Sequence, residues 1–276
     1  EWYRYHDILM MCTLCAASRK HGFVPELEGK FTPEETEKIK FIEIPVFEVS
    51  STIIRRRISE KESTQGLLAD GVRDYIERAL HLNVPEKYKE YDELLKTKLD
   101  DYRYIHSLGV AKSARHLAEL YGADPEKAYF AGLLHDVMKN AAPEEQLQMI
   151  KKADIMLSPS ERLNRKLWHA IAGAAFLKLE LHITDEDIIG AVRWHTTGKA
   201  NMTQLEKIVY LADFISEDRK YPDVDKVREL SEQSIESAML YTQRYCISKL
   251  LADGMIIDPS SVDCYNELIT ERSSEK

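Results

Sequence analysis

Residues 131–140, AGLLHDVMKN, combine an apolar helical face with two polar side chains that stand next to each other. The spacing of the apolar residues predicts a buried helix, whose core side would carry Ala131, Leu133, Leu134, Val137 and Met138. His135 and Asp136 interrupt that apolar run, where an unpaired charge is costly. The doublet therefore needs protonation, a cationic partner or a metal ion to neutralise its carboxylate.

The sequence around this stretch predicts helices almost throughout, from about Tyr91 to the end of the chain. Gly122 is a typical helix stop. Asp124 is a typical N-cap, and Pro125 suits the first turn of the helix that leads into the doublet. We therefore expect an all-helical bundle in this part of the chain.

Other ionisable side chains lie on predicted apolar helices of the same region. His106, His169 and His195 each stand beside apolar residues, and Asp213 lies within the apolar stretch IVYLADFI. Imidazoles and carboxylates together form a ligand set for a divalent transition metal. Taken singly, a histidine on a helix is more often an ordinary core or surface residue, and a buried aspartate more often belongs to a salt bridge or a cap. The hypothesis of a metal site therefore depends on the whole set.

The order of His106, the His135–Asp136 doublet and Asp213 resembles the H…HD…D signature of the HD-domain metal-dependent phosphohydrolases. The segments HSLGVAKSARHLAELYG, AGLLHDVMKN, RWHTTGKANMTQLEKIVYLADFI and YPDVDKVREL are similar to those of the YqeK-type symmetrical diadenosine tetraphosphate hydrolases. This resemblance spans residues 91–270 and implies metal-dependent hydrolysis of diadenosine tetraphosphate to two molecules of ADP. It also implies iron as the metal, although the ligands suit manganese, cobalt and zinc as well.

The resemblance gives roles to particular residues as hypotheses. The first ion is held by His106, His135, Asp136 and Asp213, and a second ion by His169 and His195, with Asp136 as the bridge. Catalysis would involve Asp136 and Lys139, the latter neutralising charge on the transferred phosphoryl group. A solvated lysine at a helix end is the alternative for Lys139. Candidate phosphate contacts are Thr196, Thr197 and Arg219, and Gly198 lets the backbone turn after the helix.

The N-terminal part of the chain differs in residue composition and in predicted secondary structure. FIEIPVFEVS, residues 41–50, is rich in β-branched and aromatic residues and predicts a strand. VSSTIIRRRI follows and resembles the ISSTxIRxR motif of the nicotinate-nucleotide adenylyltransferases, in which such residues bind ATP phosphates. The corresponding nucleotide-binding residues are Ser50, Ser51, Thr52 and Arg55.

That family's HxGH nucleotide site does not occur in the sequence, which begins at Glu1. We therefore expect no adenylyl transfer by this chain, and we expect it to be a fragment of a longer bifunctional fusion. The predicted organisation is a truncated Rossmann-like nucleotidyltransferase fragment over residues 1–82, a linker over 83–90 and an HD-domain phosphohydrolase over 91–276. The predicted fold class is mainly α, with an N-terminal α/β fragment.

Charge and cysteine content limit the partners. The net charge of −9 argues against a general nucleic-acid binder, and no apolar run approaches the roughly 20 residues of a membrane span. Four cysteines are too few for a disulfide framework in 276 residues, which favours the cytoplasm. The expected partners are a dinucleoside polyphosphate substrate and a second copy of the chain in a homodimer.

Two alternatives remain open for the function. The ligand set is shared with HD-domain enzymes that act on deoxynucleotide monophosphates or guanosine polyphosphates, and only the HTTG region and its neighbours favour a dinucleoside substrate. A protein of another class, a non-catalytic nucleotide-sensing module fused to an adenylyltransferase, would bind nucleotide without turnover. Retention of the complete ligand set argues against that module.

Overall fold

The computed structural model describes residues 5–17, 31–42 and 84–274, together with isolated positions between residues 54 and 72. The chain divides into two compact units, Glu1–Asp74 and Tyr75–Lys276. The predicted linker at residues 83–90 lies within the second unit. There, Glu86–Tyr88 form a short 3-10 helix that leads into a regular helix.

The first unit contains a small α/β arrangement. Its elements are α1 (Tyr5–Met11), β1 (Leu14–Ala17), α2 (Pro33–Glu37) and β2 (Ile39–Ile42). The strands pair in parallel, with Leu14 opposite Ile39. The side chain of Thr32 accepts a hydrogen bond from the backbone of Glu35 and starts α2 with a capping box. The predicted α/β character of the N-terminal segment agrees with this arrangement.

Only part of the predicted strand at residues 41–50 is described. Phe41 and Ile42 form the end of β2. The predicted nucleotide-binding residues Ser50, Ser51, Thr52 and Arg55 lie outside the described residues, so their role stays a prediction.

The second unit is helical across residues 84–274, where no strand occurs, and the predicted mainly helical class is confirmed. Its helices are α3 (Lys89–Lys98), α4 (Asp101–Tyr121), α5 (Pro125–Leu134), α6 (Pro143–Lys152), α7 (Pro159–Leu163), α8 (Trp168–Leu179), α9 (Glu186–Trp194), α10 (Gln204–Ile215), α11 (Val224–Gln233), α12 (Ile235–Ala252) and α13 (Pro259–Ser274).

The connection between α4 and α5 follows the predicted signals. Gly122 ends α4 with a φ of 69°, a left-handed conformation that glycine adopts without steric cost. The carboxylate of Asp124 accepts hydrogen bonds from the amides of Glu126 and Lys127, and Pro125 occupies the first turn of α5. The short loop therefore returns α5 alongside α4.

The core of the second unit lies where α4, α5, α8, α9 and α10 pack together. Gly132 is the point of closest approach between α5 and α4, because a Cβ there would lie 3.0 Å from the Cα of Ala111. The backbones of these two helices can approach this closely only because Gly132 has no side chain. That contact brings the C-terminal end of α5, and with it the His135–Asp136 doublet, against α4.

Within the part of the chain that the structure describes, no helix combines the length and apolarity required to cross a bilayer.

Candidate metal centre

His135 and Asp136 lie just beyond the end of α5. The helix ends at Leu134 and tight turns follow, so the prediction that a helix continues through the doublet is wrong. The imidazole Nδ1 of His135 donates a hydrogen bond of 2.7 Å to the carbonyl of Gly132. This bond occupies the carbonyl that the amide of Asp136 would use in a continuing helix, which explains why the helix stops there.

The His135 ring points into the protein with one nitrogen left unpaired. Its side chain is fully buried, and that of Asp136 is 2% exposed. Because Nδ1 of His135 is the donor to the backbone, Nε2 carries the lone pair. That Nε2 has no hydrogen-bond partner among the described residues, and it lies 3.6 Å from Oδ2 of Asp136 and 4.0 Å from Oδ1 of Asp213. A buried acceptor without a partner is costly unless a cation binds it.

His106 projects from α4 towards the same place. Its imidazole is fully buried between two carboxylates, with Nε2 at 2.9 Å from Oδ1 of Asp213 and Nδ1 at 2.9 Å from Oδ2 of Asp218. Asp213 lies on α10, as predicted, and its side chain is 17% exposed. The contact therefore joins α4 to α10.

His169, on α8, and His195, the residue after α9, lie beside the histidines and aspartates described above. We refer to six side chains together as the cluster, namely His106, His135, Asp136, His169, His195 and Asp213. Nδ1 of His195 donates to the carbonyl of Val192 at 2.7 Å, so its Nε2 is an acceptor. Nε2 of His169 accepts from Nζ of Lys139 at 2.9 Å and lies 3.2 Å from Nε2 of His195. The two Nε2 atoms therefore lie close together, with the ammonium of Lys139 beside that of His169.

The ligand atoms converge into two overlapping groups. His106, His135 and Asp213 form one group, and His135, Asp136 and His195 form the other, with the ligand atoms of each group within 4.8 Å of one another. His169 adjoins the second group, because its Nε2 lies 3.2 Å from Oδ1 of Asp136. The structure thus brings the six predicted ligands together, and the two groups overlap at His135. The bridging role of Asp136 stays a prediction.

Burial keeps two of the imidazoles neutral. Removal from water lowers the pKa of His135 to about 3 and the pKa of His169 to about 4, because the charged form is poorly solvated there. Neutral imidazole is the form that binds a metal ion. Both rings are therefore ready to act as ligands at neutral pH.

His106 behaves differently. Burial alone would lower its pKa, but hydrogen bonds to Asp213 and Asp218 outweigh burial and raise the pKa to about 9. Burial would likewise raise the pKa of Asp213, yet the guanidinium of Arg219 and the ring of His106 hold that pKa well below its usual range. Without a metal ion, His106 therefore carries a proton between two ionised carboxylates.

The donor set fits a divalent cation. Ionised Asp136 and Asp213 supply oxygen ligands, and neutral His135 and His169 supply unprotonated nitrogen atoms, a combination that suits first-row transition metals. The buried Nε2 of His135 and Oδ1 of Asp136 have no hydrogen-bond partner among the described residues, which is unfavourable without a cation beside them. A metal ion among these atoms would supply that partner.

We expect metal affinity to depend on pH through His106. Below its pKa of about 9, the ring must release a proton before Nε2 can bind an ion, so the affinity of that site should rise about tenfold per pH unit between pH 7 and 9 and level off above. Competition titrations of Zn²⁺ against a chelating dye at several pH values measure this dependence. The His106→Gln variant should lack this dependence, and a flat wild-type profile would contradict it.

Three cationic side chains surround the cluster. Arg103 and Lys139 approach Asp136 to 3.4 Å each, and Arg219 pairs with Asp213. Their side chains are 28–29% exposed, so they lie between the buried cluster and solvent. Arg219 also donates to the backbone carbonyl of Asp213 at 2.7 Å. These cations compensate the carboxylates and are placed to meet an incoming anion.

The segment HTTG forms a turn after α9. Gly198 adopts a φ of +67°, as expected for the residue that ends the turn. The carbonyl of Thr197 accepts hydrogen bonds from Gln243 at 2.8 Å and Ser261 at 3.0 Å, so α12 and α13 hold the turn in place. The hydroxyl of Thr197 donates to the carbonyl of Gly198, whereas the buried hydroxyl of Thr196 has no hydrogen-bond partner among the described residues. Thr196, next to His195, is therefore the better placed of the two for a ligand contact.

Sequence reasoning missed Arg103 and Asp218. Arg103 contacts Asp136, which is 33 residues away, and Asp218 contacts His106 across 112 residues. Both lie in polar segments that resemble solvated surface. Their positions three residues before His106 and five residues after Asp213 were the only available signal.

Comparison with protein families and known proteins gives consistent results. A family model described as HD domain matches residues 103–218. A protein of Bacillus subtilis named "Bis(5'-nucleosyl)-tetraphosphatase, symmetrical" is 38% identical over 178 residues, which cover 64% of this chain and 94% of that protein.

Two further similarities extend this result. A crystal structure of a predicted HD superfamily hydrolase involved in NAD metabolism from Clostridium acetobutylicum has a TM-score of 0.65 and 34% identity, covering 67% of this chain and 97% of that one. A Mycoplasma genitalium protein named "Probable nicotinate-nucleotide adenylyltransferase/Ap4A hydrolase" is 27% identical over 92% of this chain and 68% of its own length. The second similarity extends over both units of this chain.

Proposed function

The chain belongs to the family of symmetrical bis(5'-nucleosyl)-tetraphosphatases, and we propose that it hydrolyses diadenosine tetraphosphate symmetrically to two molecules of ADP. The observation that carries the proposal is the convergence of four imidazoles and two carboxylates, from helices and the turns that follow them, around one buried place. Buried polar atoms without a hydrogen-bond partner among the described residues, here Nε2 of His135 and Oδ1 of Asp136, are unfavourable in a structural element but suit a cation site.

The proposed ligands are His106, His135, Asp136 and Asp213 for one divalent ion, and Asp136, His169 and His195 for a second. His135 offers a single lone pair and so serves one ion, whereas the carboxylate of Asp136 has two oxygens. Iron is the proposed metal, on the family resemblance. A divalent ion bound by these residues would activate water for attack on a phosphoanhydride at neutral pH.

The chain's own cations bind and orient the polyphosphate. Once Asp136 and Asp213 are engaged by a cation, Arg103, Lys139 and Arg219 are free to pair with phosphate oxygens. These groups are fixed at the edge of the cluster before substrate arrives, so little reorganisation is needed when negative charge develops on the reacting phosphoryl group. Lys139 lies closest to the second group of ligands, at 2.9 Å from His169.

The buried side of the cluster keeps the ligands in place and excludes water from behind them. His135 and His195 each donate Nδ1–H to a backbone carbonyl, which leaves Nε2 as the nitrogen that faces the cluster. The turn at Thr196 is held by α12 and α13 and presents its unpartnered hydroxyl beside His195. We propose that this hydroxyl binds a phosphate oxygen.

A substrate panel tests the proposal. Protein purified anaerobically and loaded with Fe²⁺ is expected to convert diadenosine tetraphosphate to ADP as the sole nucleotide product. Deoxynucleotide monophosphates and guanosine polyphosphates should be poor substrates by comparison. Formation of AMP and ATP in equal amounts would overturn the symmetric cleavage, and binding of nucleotide without turnover would favour a sensing module instead.

A further inference from the structure

We propose that Asp218 is a positioning residue for the metal centre, holding the imidazole of His106 so that Nε2 faces the other ligand atoms. The inference rests on the proposed metal-dependent function, which gives Nε2 of His106 a metal to bind. Asp218 does not reach the ligand cluster itself. It acts on the opposite side of the ring, through Nδ1.

The contact between Asp218 and His106 is well defined. Both carboxylate oxygens lie within hydrogen-bond distance of Nδ1, at 2.9 and 3.1 Å. The hydroxyl of Ser216 donates to one of these oxygens at 2.8 Å, and the hydroxyl of Tyr102 lies 3.5 Å from the other. With a side chain only 12% exposed, Asp218 is itself held on several sides.

The support given to His106 differs from that given to the neighbouring ligands. His135 and His195 are each oriented by a backbone carbonyl, that of Gly132 or Val192, at 2.7 Å. His106 is oriented by an ionised carboxylate, which stabilises positive charge on the ring more strongly than a neutral carbonyl does. Of these three imidazoles, His106 is therefore the one whose electron donation to a metal depends on a second side chain.

The position of Asp218 also explains why the chain needs a charged group in a segment that is otherwise polar surface. A carboxylate buried beside α4 is costly unless hydrogen-bond donors or a positive charge stabilise it. His106 and Ser216 provide these interactions. A purely structural role, tying the segment after α10 to α4, would need the hydrogen bonds but no metal. The two roles predict different results when the charge and the hydrogen bond are removed separately.

Zn²⁺ affinity of the full chain, compared at a pH where His106 is unprotonated in every variant, separates these roles. Asp218→Ala removes both the hydrogen bond and the charge, and we expect a loss of about 10–100-fold in affinity at the site containing His106. Asp218→Asn keeps an acceptor oxygen and removes the charge, and should lose less. Asp225→Asn, a control with the same charge change at a side chain that is 91% exposed, should bind Zn²⁺ as the wild type does.

A spectroscopic measurement tests the contact between Asp218 and His106 directly, without an activity assay. In the Zn²⁺-loaded protein, ¹H–¹⁵N correlation spectra should show a downfield Nδ1–H resonance for His106, and that resonance should be lost in Asp218→Ala. If the alanine variant fails to fold, as judged by its melting temperature without metal, the isosteric asparagine variant carries the test. Wild-type affinity in whichever variants fold overturns the positioning role.

The same experiment distinguishes this role from the proposed activity. Wild-type protein that binds Zn²⁺ but leaves diadenosine tetraphosphate intact when loaded with Fe²⁺ would refute the proposed function, while the Zn²⁺ series would still decide the role of Asp218. Active wild-type enzyme with unchanged Zn²⁺ affinity in both Asp218 variants would refute the positioning role alone.

Discussion

Asp136→Asn is expected to lower the kcat for hydrolysis of diadenosine tetraphosphate by roughly 10³-fold, since the loss of metal-supplied charge stabilisation removes several kcal/mol from the transition state. The substitution preserves the shape of a side chain that is 2% exposed and removes the charge that adjoins His135 and Lys139. Steady-state kinetics together with metal analysis of the purified variant measure the effect. We expect lost turnover together with reduced metal content.

The control for this variant is a histidine outside the cluster. His116 forms an exposed pair with Glu232 at 2.8 Å, so His116→Ala should retain turnover and metal. A folded Asp136→Asn protein with full metal content and wild-type kcat would rule out the carboxylate as a ligand and remove the main support for the proposed chemistry.

The six side chains of the candidate metal centre could be singled out from sequence because they are chemically out of place. Ionised carboxylates such as Asp136 and Asp213 within apolar stretches are unstable alone. The sequence therefore predicts that cationic or metal-binding residues lie beside them in the folded chain. The imidazoles that lie beside these carboxylates also stand next to apolar residues in the sequence. Convergence of separate helices on one point was therefore predictable from residue type, even without knowledge of their packing angles.

The local geometry of the doublet could not be predicted in the same way. Apolar residues continue past His135 with helical spacing, so the pattern gives no sign that α5 ends at Leu134. The end depends on a side-chain bond, from the imidazole of His135 to the carbonyl of Gly132. A competing bond of this kind is invisible to periodicity, which records only which face a residue occupies.

Two residues that contact the candidate ligands were also missed. Asp218 and Arg103 stand in sequence contexts typical of exposed surface, and their contacts with His106 and Asp136 form only in the folded chain. In the first unit, the pairing of β2 with β1 was likewise not foreseen, because Leu14–Ala17 is too short to stand out as a strand.

The chain is negatively charged overall, whereas the edge of the candidate metal centre carries three cationic side chains. A protein of net charge −9 repels a polyphosphate at long range, so binding depends on local positive charge. Arg103, Lys139 and Arg219 provide that charge at the edge of the cluster. Because each is now paired with a carboxylate ligand, substrate binding by these cations should be strongest after metal has engaged the carboxylates.

Lys139→Ala is therefore expected to lower kcat by about 10²-fold, because it removes a fixed cation from beside the transferred phosphoryl group while leaving the ligands intact. Metal content should stay close to that of the wild type, which separates this variant from Asp136→Asn. Steady-state kinetics with diadenosine tetraphosphate measure the change, and the loss should appear mainly in kcat rather than in KM.

Two further variants decide whether the position of the charge matters. Lys139→Arg keeps the charge in a different geometry and should recover part of the activity, whereas Lys152→Ala, at an exposed pair with Glu180, should have no effect. If Lys139 were only a solvated lysine after α5, its loss would change kcat no more than the loss of Lys152. The 2.9 Å contact with His169 favours the catalytic role, since a solvated lysine gains nothing by lying against a buried imidazole.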